Sequence, residues 1–586
     1  MGGEHMDIFS VISIFGGLAL FLYGMHVLSA GLEKTAGGKM EAVLGKMTSN
    51  RLKGLLLGVG VTALIQSSSA VTVMLVGLVN SGIMSLTGAI SVTMGSNIGT
   101  TVTAWVLSLT GIDSSNVWVN LLKPANFSPI IAFIGIILIK AGKKQKLKDA
   151  GSICVGFAVL MYGMTVMSGE AEKLTEVPGF TGILTFFSNP VMGVITGMIL
   201  TAVIQSSSVS VGILQALSMT GTITYGTAIP IIMGQNIGAC TSAVIASFGA
   251  SKKAKCVAVA NVLFKVIGTV IGLSAWLIAD AVIDSNLADS VVSPFNIAVI
   301  HTVFNIFSTV ILLPFAKQLE KISNVLVRDS KKKDEKVLLD ERLMTVPSFA
   351  VAKAADVTAE MASLAKKSVK TAVGLLEKYD EKTAQSVKDM EAKIDSYEDA
   401  LGTYLVKISK KDINDSDSKQ ISKLLHTISD FERIGDHANN ILGTAREMHE
   451  KKIRFSPDAL EETDNLTEAI FEILSITVKA FKNDDISLAE TVEPLEQVID
   501  RLIADIKMRH IARLKKGECT IEVGFVLTDL LTNCERISDH CSNIAVAVID
   551  AQRGNFDSHE YLNQVKSENT GTYAEYYERY LKKYSI

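Results

Sequence analysis

Between Gly54 and Ile112, and again between Val177 and Ser251, the chain contains no Asp, Glu, Lys or Arg. Whatever binds inside those stretches meets neutral dipoles, and runs this long without charge suit a bilayer better than a water-exposed surface. Other absences narrow the function. The six cysteines (Cys154, Cys240, Cys256, Cys519, Cys534, Cys541) show no Cys-x-x-Cys or zinc-knuckle spacing, so buried reduced thiols are expected. There is no nucleotide-binding loop and no nucleophile-base constellation, which argues against an enzyme. No basic stripe accompanies the formal net charge of -4, so nucleic acid is not an expected partner. Met1 to Ser10 lacks a basic n-region and the apolar run continues to about Leu28, which reads as an uncleaved first transmembrane helix.

What is present is a repeat. Gln66-Ser67-Ser68-Ser69 returns as Gln205-Ser206-Ser207-Ser208, an offset of 139 residues. The same offset takes Tyr23-Gly24-Met25 to Tyr162-Gly163-Met164, Thr62-Ala63 to Thr201-Ala202, and Asn97-Ile98-Gly99 to Asn236-Ile237-Gly238. Matches at one ungapped offset mark a duplicated unit, with copies over about 10–121 and 149–260. Composition then divides the chain. Apolar runs with Gly, Ser and Thr extend to about Phe315, and residues beyond Lys317 are rich in Lys, Glu and Asp. The expected domains are a membrane part over 1–316, a linker over 317–345, a helical domain over 346–555 and a tail over 556–586.

Crossing helices are expected near 8–30, 86–110, 122–140, 150–169, 222–249, 255–279 and 295–315, since about 20 apolar residues span a hydrocarbon core of about 30 Å. Two more stretches, 54–82 and 190–220, carry the serine runs. If they cross, the charges do not sort. If they dip in and return, the basic connections (Lys34, Lys39, Lys46, Arg51 and Lys53; Lys140, Lys143, Lys144, Lys146 and Lys148; Lys252, Lys253 and Lys255) all lie inside. The acidic ones (Glu170, Glu172 and Glu176; Asp280, Asp284 and Asp289) then lie outside. The expected fold is therefore all-α: two inverted repeats with re-entrant hairpins, an outer N-terminus, and a cytoplasmic helical domain. A solvated hinge and a contact of Lys331-Lys332-Lys333 with anionic lipid are both open for the linker.

At a hairpin tip the second half-helix offers free N–H groups and the positive end of its dipole, which favour an anion. Ser67, Ser68, Ser69, Ser206, Ser207 and Ser208 add hydroxyl donors suited to a tetrahedral oxyanion, and Gln66 and Gln205 add an amide. Carbonyls ending the first half-helix, with Thr and Ser hydroxyls, suit a hard cation such as Na⁺. Asn97, Thr100, Thr101, Asn236, Thr241 and Ser242 form a second wall.

The paired Gln-Ser-Ser-Ser motifs, each followed by Gly-x-Asn-Ile-Gly (Gly95 to Gly99, Gly234 to Gly238), resemble the type II sodium-dependent phosphate cotransporters over about residues 10–316. The resemblance implies Na⁺-coupled uptake of inorganic phosphate across the cell membrane. It puts both serine tips around phosphate, and Na⁺ beside Gln66, Ser67, Asn97, Thr100, Thr101, Gln205, Ser206, Asn236 and Thr241. Copy two departs at Ala239-Cys240, where the family usually has hydroxyls. It departs again at Asn261-x-x-Phe264-Lys265, set against His301-x-x-Phe304-Asn305, where members commonly carry His and Asn in both places. For Lys265 a functional intramembrane charge and snorkelling to the inner surface are both open.

In the second half proline is nearly absent and apolar residues recur at helical spacing, which predicts six long helices in two sets of three. Glu432-Arg433-Ile434-Gly435-Asp436-His437 with Asn440 returns as Glu535-Arg536-Ile537-Ser538-Asp539-His540 with Asn543. Glu391 with Asp395, and Glu496 with Asp500, each put two carboxylates on one helix face. Either these acids hold a metal such as Mg, Mn or Fe, or they form a solvated charged face. They resemble the PhoU family of phosphate-response regulators over about 345–555, which implies a cytoplasmic regulatory domain with metal ligands among Glu391, Asp395, Glu432, Asp436, Asn440, Glu496, Asp500, Glu535, Asp539 and Asn543. A second copy of the chain and a cytoplasmic regulator are possible partners. Three functions therefore stand: a Na⁺-driven phosphate importer, a transporter of another oxyanion or a carboxylate, and a membrane-anchored phosphate receptor.

Overall fold

A computed structural model describes residues 8–46, 50–111, 123–142, 145–174, 189–283, 286–328, 339–411, 413–553 and 571–586. Lys143, Lys144, Glu176, Asp284 and Lys331 to Lys333 lie outside them. The described chain is helical, with one isolated β-bridge between Thr224 and Val291. It forms two compact units, Met1–Phe349 and Ala350–Ile586.

The first unit runs α1 (Ile8–Lys46), α2 (Arg51–Ile65), α3 (Ser68–Asn80), α4 (Leu86–Gly99), α5 (Thr101–Ser108), α6 (Pro124–Ala141) and α7 (Gln145–Leu174). It continues with α8 (Pro190–Ile204), α9 (Ser207–Ser218), α10 (Tyr225–Gly238), α11 (Thr241–Ser247), α12 (Lys252–Ile283), α13 (Pro294–Leu312) and α14 (Ala316–Leu326). Side-chain caps punctuate an almost uniformly apolar sequence. The Asn50 and Asn189 amides accept from the first N–H groups of α2 and α8, and proline opens α6, α8 and α13, where its missing N–H costs nothing. Among the described residues, five helical segments, Phe9–Leu32, Gln145–Ala171, Tyr225–Ser247, Lys252–Val282 and Pro294–Leu326, are long and apolar enough to cross a membrane. Large apolar side chains such as Phe133, Val203, Val282 and Val310 are exposed, as lipid-facing positions require.

The serine stretches are not crossing helices. α2, α3, α8 and α9 have 15, 13, 15 and 12 residues, or about 18 to 22 Å at 1.5 Å per residue, against about 30 Å of hydrocarbon. Their direction follows from glycine contacts. A Cβ on Gly58 would lie 2.0 Å from the Val92 carbonyl oxygen, and one on Gly99 would lie 2.6 Å from that of Val59, so α2 and α4 run parallel with their backbones touching. Parallel α2 and α4 require α3 to bring the chain back. Copy two repeats each contact at the 139-residue offset, with Gly197 against Ile231 and Gly238 against Met198.

Inversion is visible where the copies meet. α1 and α7 contain equivalent residues, Tyr23 and Tyr162, yet they pack antiparallel: Gly17 faces Gly163 and Met167, Gly24 faces Leu160, and Gly31 faces Ile153. The contact of Gly24 with Leu160 and that of Gly163 with Phe21 are the same contact under the offset. Each hairpin also packs on the other copy, α9 against α5 and α3 against α11.

Part of the expected linker is structured. α14 occupies 316–326, and a 3-10 turn, Glu341–Thr345, seats Leu343 over Gly77 of α3. Asp340 accepts from the Asn80 amide, and the Arg342 guanidinium donates to the carbonyls of Ala246 and Phe248. These bonds fix 340–345 to the ends of α3 and α11.

The second unit contains α15 (Pro347–Glu377), α16 (Glu381–Ser409), α17 (Asp415–Lys451), α18 (Pro457–Asn483), α19 (Val492–Lys516), α20 (Ile521–Arg553) and α21 (Gly571–Tyr584). Capping residues mark the breaks, with Asp380, Asn414 and Ser456 opening α16, α17 and α18, and Gly517 at φ 73° closing α19. α15 to α17 and α18 to α20 are the two three-helix sets. α21, unassigned from the sequence, docks on the second set: the Asn465 amide donates to the Tyr584 carbonyl, Lys583 pairs with Glu472, and Tyr580 and Tyr584 are buried.

Candidate functional site

Both hairpin tips have the same backbone. Gln66 sits at φ 60°, ψ 18° and Gln205 at φ 60°, ψ 16°, each donating its N–H to the carbonyl four residues back, Thr62 or Thr201, at 2.7 Å. This left-handed residue turns the chain. The next serine, Ser67 or Ser206, is extended and caps the following half-helix, its hydroxyl oxygen accepting from the N–H of Ala70 at 3.2 Å or Val209 at 3.3 Å. The serines therefore differ in role. Ser67 and Ser206 are caps with a hydroxyl proton left to donate. Ser68, Ser207 and Ser208 are buried in first turns whose N–H groups have no intrahelical acceptor, the arrangement that attracts an oxyanion.

The copies are not chemically equal. Gln66 is held inside its own copy: its Nε2 donates to the Ala63 carbonyl, and its Oε1 accepts from Thr103 Oγ1. Gln205 is exposed and makes no side-chain hydrogen bond among the described residues, which leaves its amide oxygen for a cation or its N–H₂ for an anion. Asn97 Nδ2 is buried without a partner, whereas Asn236 Nδ2 donates to the Ile232 carbonyl. Thr100, Thr101 and Thr241 hydroxyls donate back to Ser96, Ile98 and Gly238, so their oxygens keep lone pairs for a cation. Thr103 is absent from the expected site, and so are two buried links that fix the hairpins, Thr62 to Ser96 and Thr201 to Ser210. Gln215 is also absent. It donates to the carbonyls of Ala104 and Pro294 and ties α9 to the other copy.

In the second unit, carboxylate oxygens of Glu391, Asp395 and Asp436 all lie within 4.8 Å of one another, and so do those of Glu496, Asp500 and Asp539. Six of the ten expected ligands therefore assemble, three to a set. Glu432 adjoins the first trio. Glu535 instead lies 3.4 Å from Lys507, and Asn543 donates weakly to Asp430, while Asn440 is exposed. Arg433 and Arg536 stand 3.6 Å from Asp436 and Asp539 and offset part of the repulsion. Oxygen trios of this kind fit Mg, Mn or Fe. Between the trio-bearing helices α17 and α20, His540 Nδ1 and Asp430 are 2.8 Å apart and His437 Nδ1 and Asn533 are 2.9 Å apart, one contact repeated at the 103-residue offset. Asp430 and Asn533 carry no motif signature. Only this symmetric pairing identifies them.

Burial and then repulsion from Asp436 raise the Glu432 carboxyl from 4.5 to about 7, and Glu391, Asp395 and Asp539 are also raised, first by burial. A group with a raised folded pKa contributes its full stability below the unfolded value, near 4.5, and loses it as pH rises through about 7. The protein in chelator is therefore expected to show faster amide hydrogen exchange in α17 at pH 8 than at pH 5.5, after correction for intrinsic rates. Added Mn²⁺ should slow it at pH 8. Equal protection at both pH values would remove the carboxylate repulsion from the account.

A membrane unit of two antiparallel copies, each with a broken helix and an uncharged polar hairpin tip, has the architecture of the inverted-repeat transporters. A model of the Na+/Pi-cotransporter family matches residues 20–169 and 161–327, one match per copy, and the chain belongs to that family. A PhoU domain model matches 358–445 and 464–548, one match per three-helix set. Among relatives, "Putative inorganic phosphate export protein YjbB" of Escherichia coli (strain K12) is 21% identical over 551 residues, covering 92% of this chain and 98% of that protein. Sodium-dependent phosphate transport protein 2A of Rattus norvegicus is 41% identical over 99 residues, 16% of this chain and 15% of that one. The crystal structure of PhoU from Pseudomonas aeruginosa is 25% identical and covers 36% of this chain and all of that one, with a TM-score of 0.34.

Proposed function

We propose that the chain is a Na⁺-coupled phosphate importer of the cell membrane, with a cytoplasmic PhoU-like unit that regulates it. The observation that carries this reading is the pair of identically bent Gln-Ser-Ser-Ser tips, one in each inverted copy, in a member of the Na+/Pi-cotransporter family. Phosphate binds at the N-terminal first turns of α3 and α9 through Ser67 to Ser69 and Ser206 to Ser208, with Gln66 and Gln205 at the corners. Na⁺ binds where α4 breaks, with Asn97, Thr100 and Thr101, and beside Gln205 and Ser206 at the second tip, while Asn236 and Thr241 supply the polar groups that face a cation at the α10 break. The N-terminus lies outside and the second unit inside, which puts the basic connections on the inner face. The acid trios hold a divalent or iron-type metal that stabilises the regulatory unit.

Radiolabelled phosphate uptake into proteoliposomes tests this, comparing an inward Na⁺ gradient with K⁺ at equal ionic strength. Accumulation above equilibrium only with Na⁺ is expected. Saturable binding without accumulation would favour a receptor, and stronger competition by sulfate or succinate than by arsenate would shift the substrate. Because the relatives that cover nine-tenths of the chain are named for export, efflux from loaded vesicles belongs in the same experiment. Efflux without Na⁺-driven uptake would reverse the direction.

Gln205→Ala and Ser207→Ala are each expected to lower Na⁺-dependent uptake by about 10- to 100-fold, since a hydrogen bond to a charged group is worth about 1.5–3 kcal/mol. Unchanged uptake in both would remove the copy-two tip from the site.

A further inference from the structure

Lys265 lies 13 residues after Lys252, about 20 Å along α12 at 1.5 Å per residue. Its side chain does not snorkel. The residue is 5% exposed, packed inside the protein, and makes no hydrogen bond or ion pair with the described residues. An ammonium in the protein interior with no carboxylate beside it is costly, so its surroundings need to favour positive charge.

The surroundings are those of a cation site. Asn261, Lys265 and Thr269, spaced by four, share one face of α12, and Thr269 donates to the Met233 carbonyl of α10, so this face meets the broken helix. Cys240, at the break between α10 and α11, and His301 of α13 are the titratable groups in the neighbourhood of Lys265. α3, α4, α10 and α11, which also touch α12, bear no charged side chain, and the α14 carboxylate, Glu320, accepts from Thr87. At the break the last carbonyls of α10 and the negative end of its dipole favour a cation. Asn261 Oδ1 and His301 Nδ1 are buried without partners.

The other copy shows what this break has lost. Thr100 and Thr101 stand after the Asn-Ile-Gly of copy one. At the 139-residue offset copy two has Ala239 and Cys240, a methyl and a thiol in place of two hydroxyls. The break in copy one keeps two hydroxyls, and the break in copy two, with a methyl and a thiol in their place, has a buried lysine on the α12 face that meets α10. We infer that Lys265 is a built-in cation, occupying with its ammonium the place at the α10–α11 break that a dissolved Na⁺ would otherwise take. The chain then uses one mobile Na⁺ fewer than two hydroxyl-bearing copies would.

This inference rests on the Na⁺-coupled reading, and counting bound ions separates the two. Equilibrium binding of ²²Na⁺ to the purified full chain, by scintillation proximity, gives the number of sites without any flux. Cys240→Thr with Lys265→Asn, which returns copy-one chemistry to copy two, is expected to bind one more Na⁺ than the parent and to steepen the Na⁺ dependence of phosphate flux by about one ion. Lys265→Arg should keep the parental count. Cys240→Thr alone should also keep it, because the ammonium remains in place. A gained Na⁺ in that mildly altered variant, or an unchanged count in a monodisperse double variant, overturns the proposal. Absence of Na⁺-stimulated flux in the parent would sink the cotransport reading, while the ion counts would still decide the role of Lys265.

Discussion

Valine in place of Gly58 or Gly197 is expected to prevent assembly of the membrane unit. At these positions an added Cβ would lie 2.0 Å from the Val92 carbonyl oxygen and 2.1 Å from that of Ile231. Nothing flexible is in the way. The obstacle is the backbone of a neighbouring half-helix, so the cost should exceed the roughly 1–3 kcal/mol typical of extra methylenes in a core, where side chains can shift. Size-exclusion chromatography of the solubilised full chain should lose its monodisperse peak for both variants. Gly60 is the control, since it lies on the same helix as Gly58 and a Cβ there meets nothing within 4 Å. Gly60→Val should elute like the parent, and a normal peak for Gly58→Val would mean that α2 and α4 are not in backbone contact.

The second large effect lies in the helical unit. Arg513 and Glu462 form a bidentate pair at 2.8 and 2.7 Å, with side chains 10% and 5% exposed. Removing only the cation leaves a carboxylate in the interior between α18 and α19, and breaking a buried pair in this way costs about 3–5 kcal/mol. Arg509, 3.7 Å from the same carboxylate, places Arg513→Met at the lower end of that range. The double variant Arg513→Met with Glu462→Met should recover most of the loss, because it buries no unpaired charge. Denaturant titration followed by hydrogen exchange in α18 and α19 would measure both. Equal losses in the single and double variants would show that packing, not charge, is what the pair supplies.

Features that depend on order along the chain were legible in the sequence. Repeats at one offset located both tips, and charge alternation at the connections required them to return. The structure shows that return directly in the parallel course of α2 and α4. Features that depend on helix rotation were not legible. Whether Gln66 faces Thr103 is set by how α2 turns against α5, and no spacing encodes it. The same holds for the acids. Spacing by four put Glu391 beside Asp395, but the choice of Asp436 as the third member, and the exclusion of Asn440, depend on how α17 is rotated toward α16. Gly24 and Gly163 matched as a repeat, yet only their contacts in the folded unit, Leu160 and Phe21, show that the copies face opposite ways. The tyrosine-rich tail had no pattern partner, because its docking surface is assembled from two helices distant in sequence.

The left-handed corners carry a conformational cost. A residue with a Cβ gives up about 1–2 kcal/mol in that conformation relative to glycine. Glycine is common in this chain and is used at Gly82 and Gly221, the positive-φ turns that close the same two hairpins. At the tips the chain has glutamine instead, in both halves, although the two glutamines no longer make the same contacts. At Gln66 two side-chain hydrogen bonds offset that cost, but at Gln205 nothing among the described residues does, so the second tip carries a side chain that folding alone gives no reason to keep.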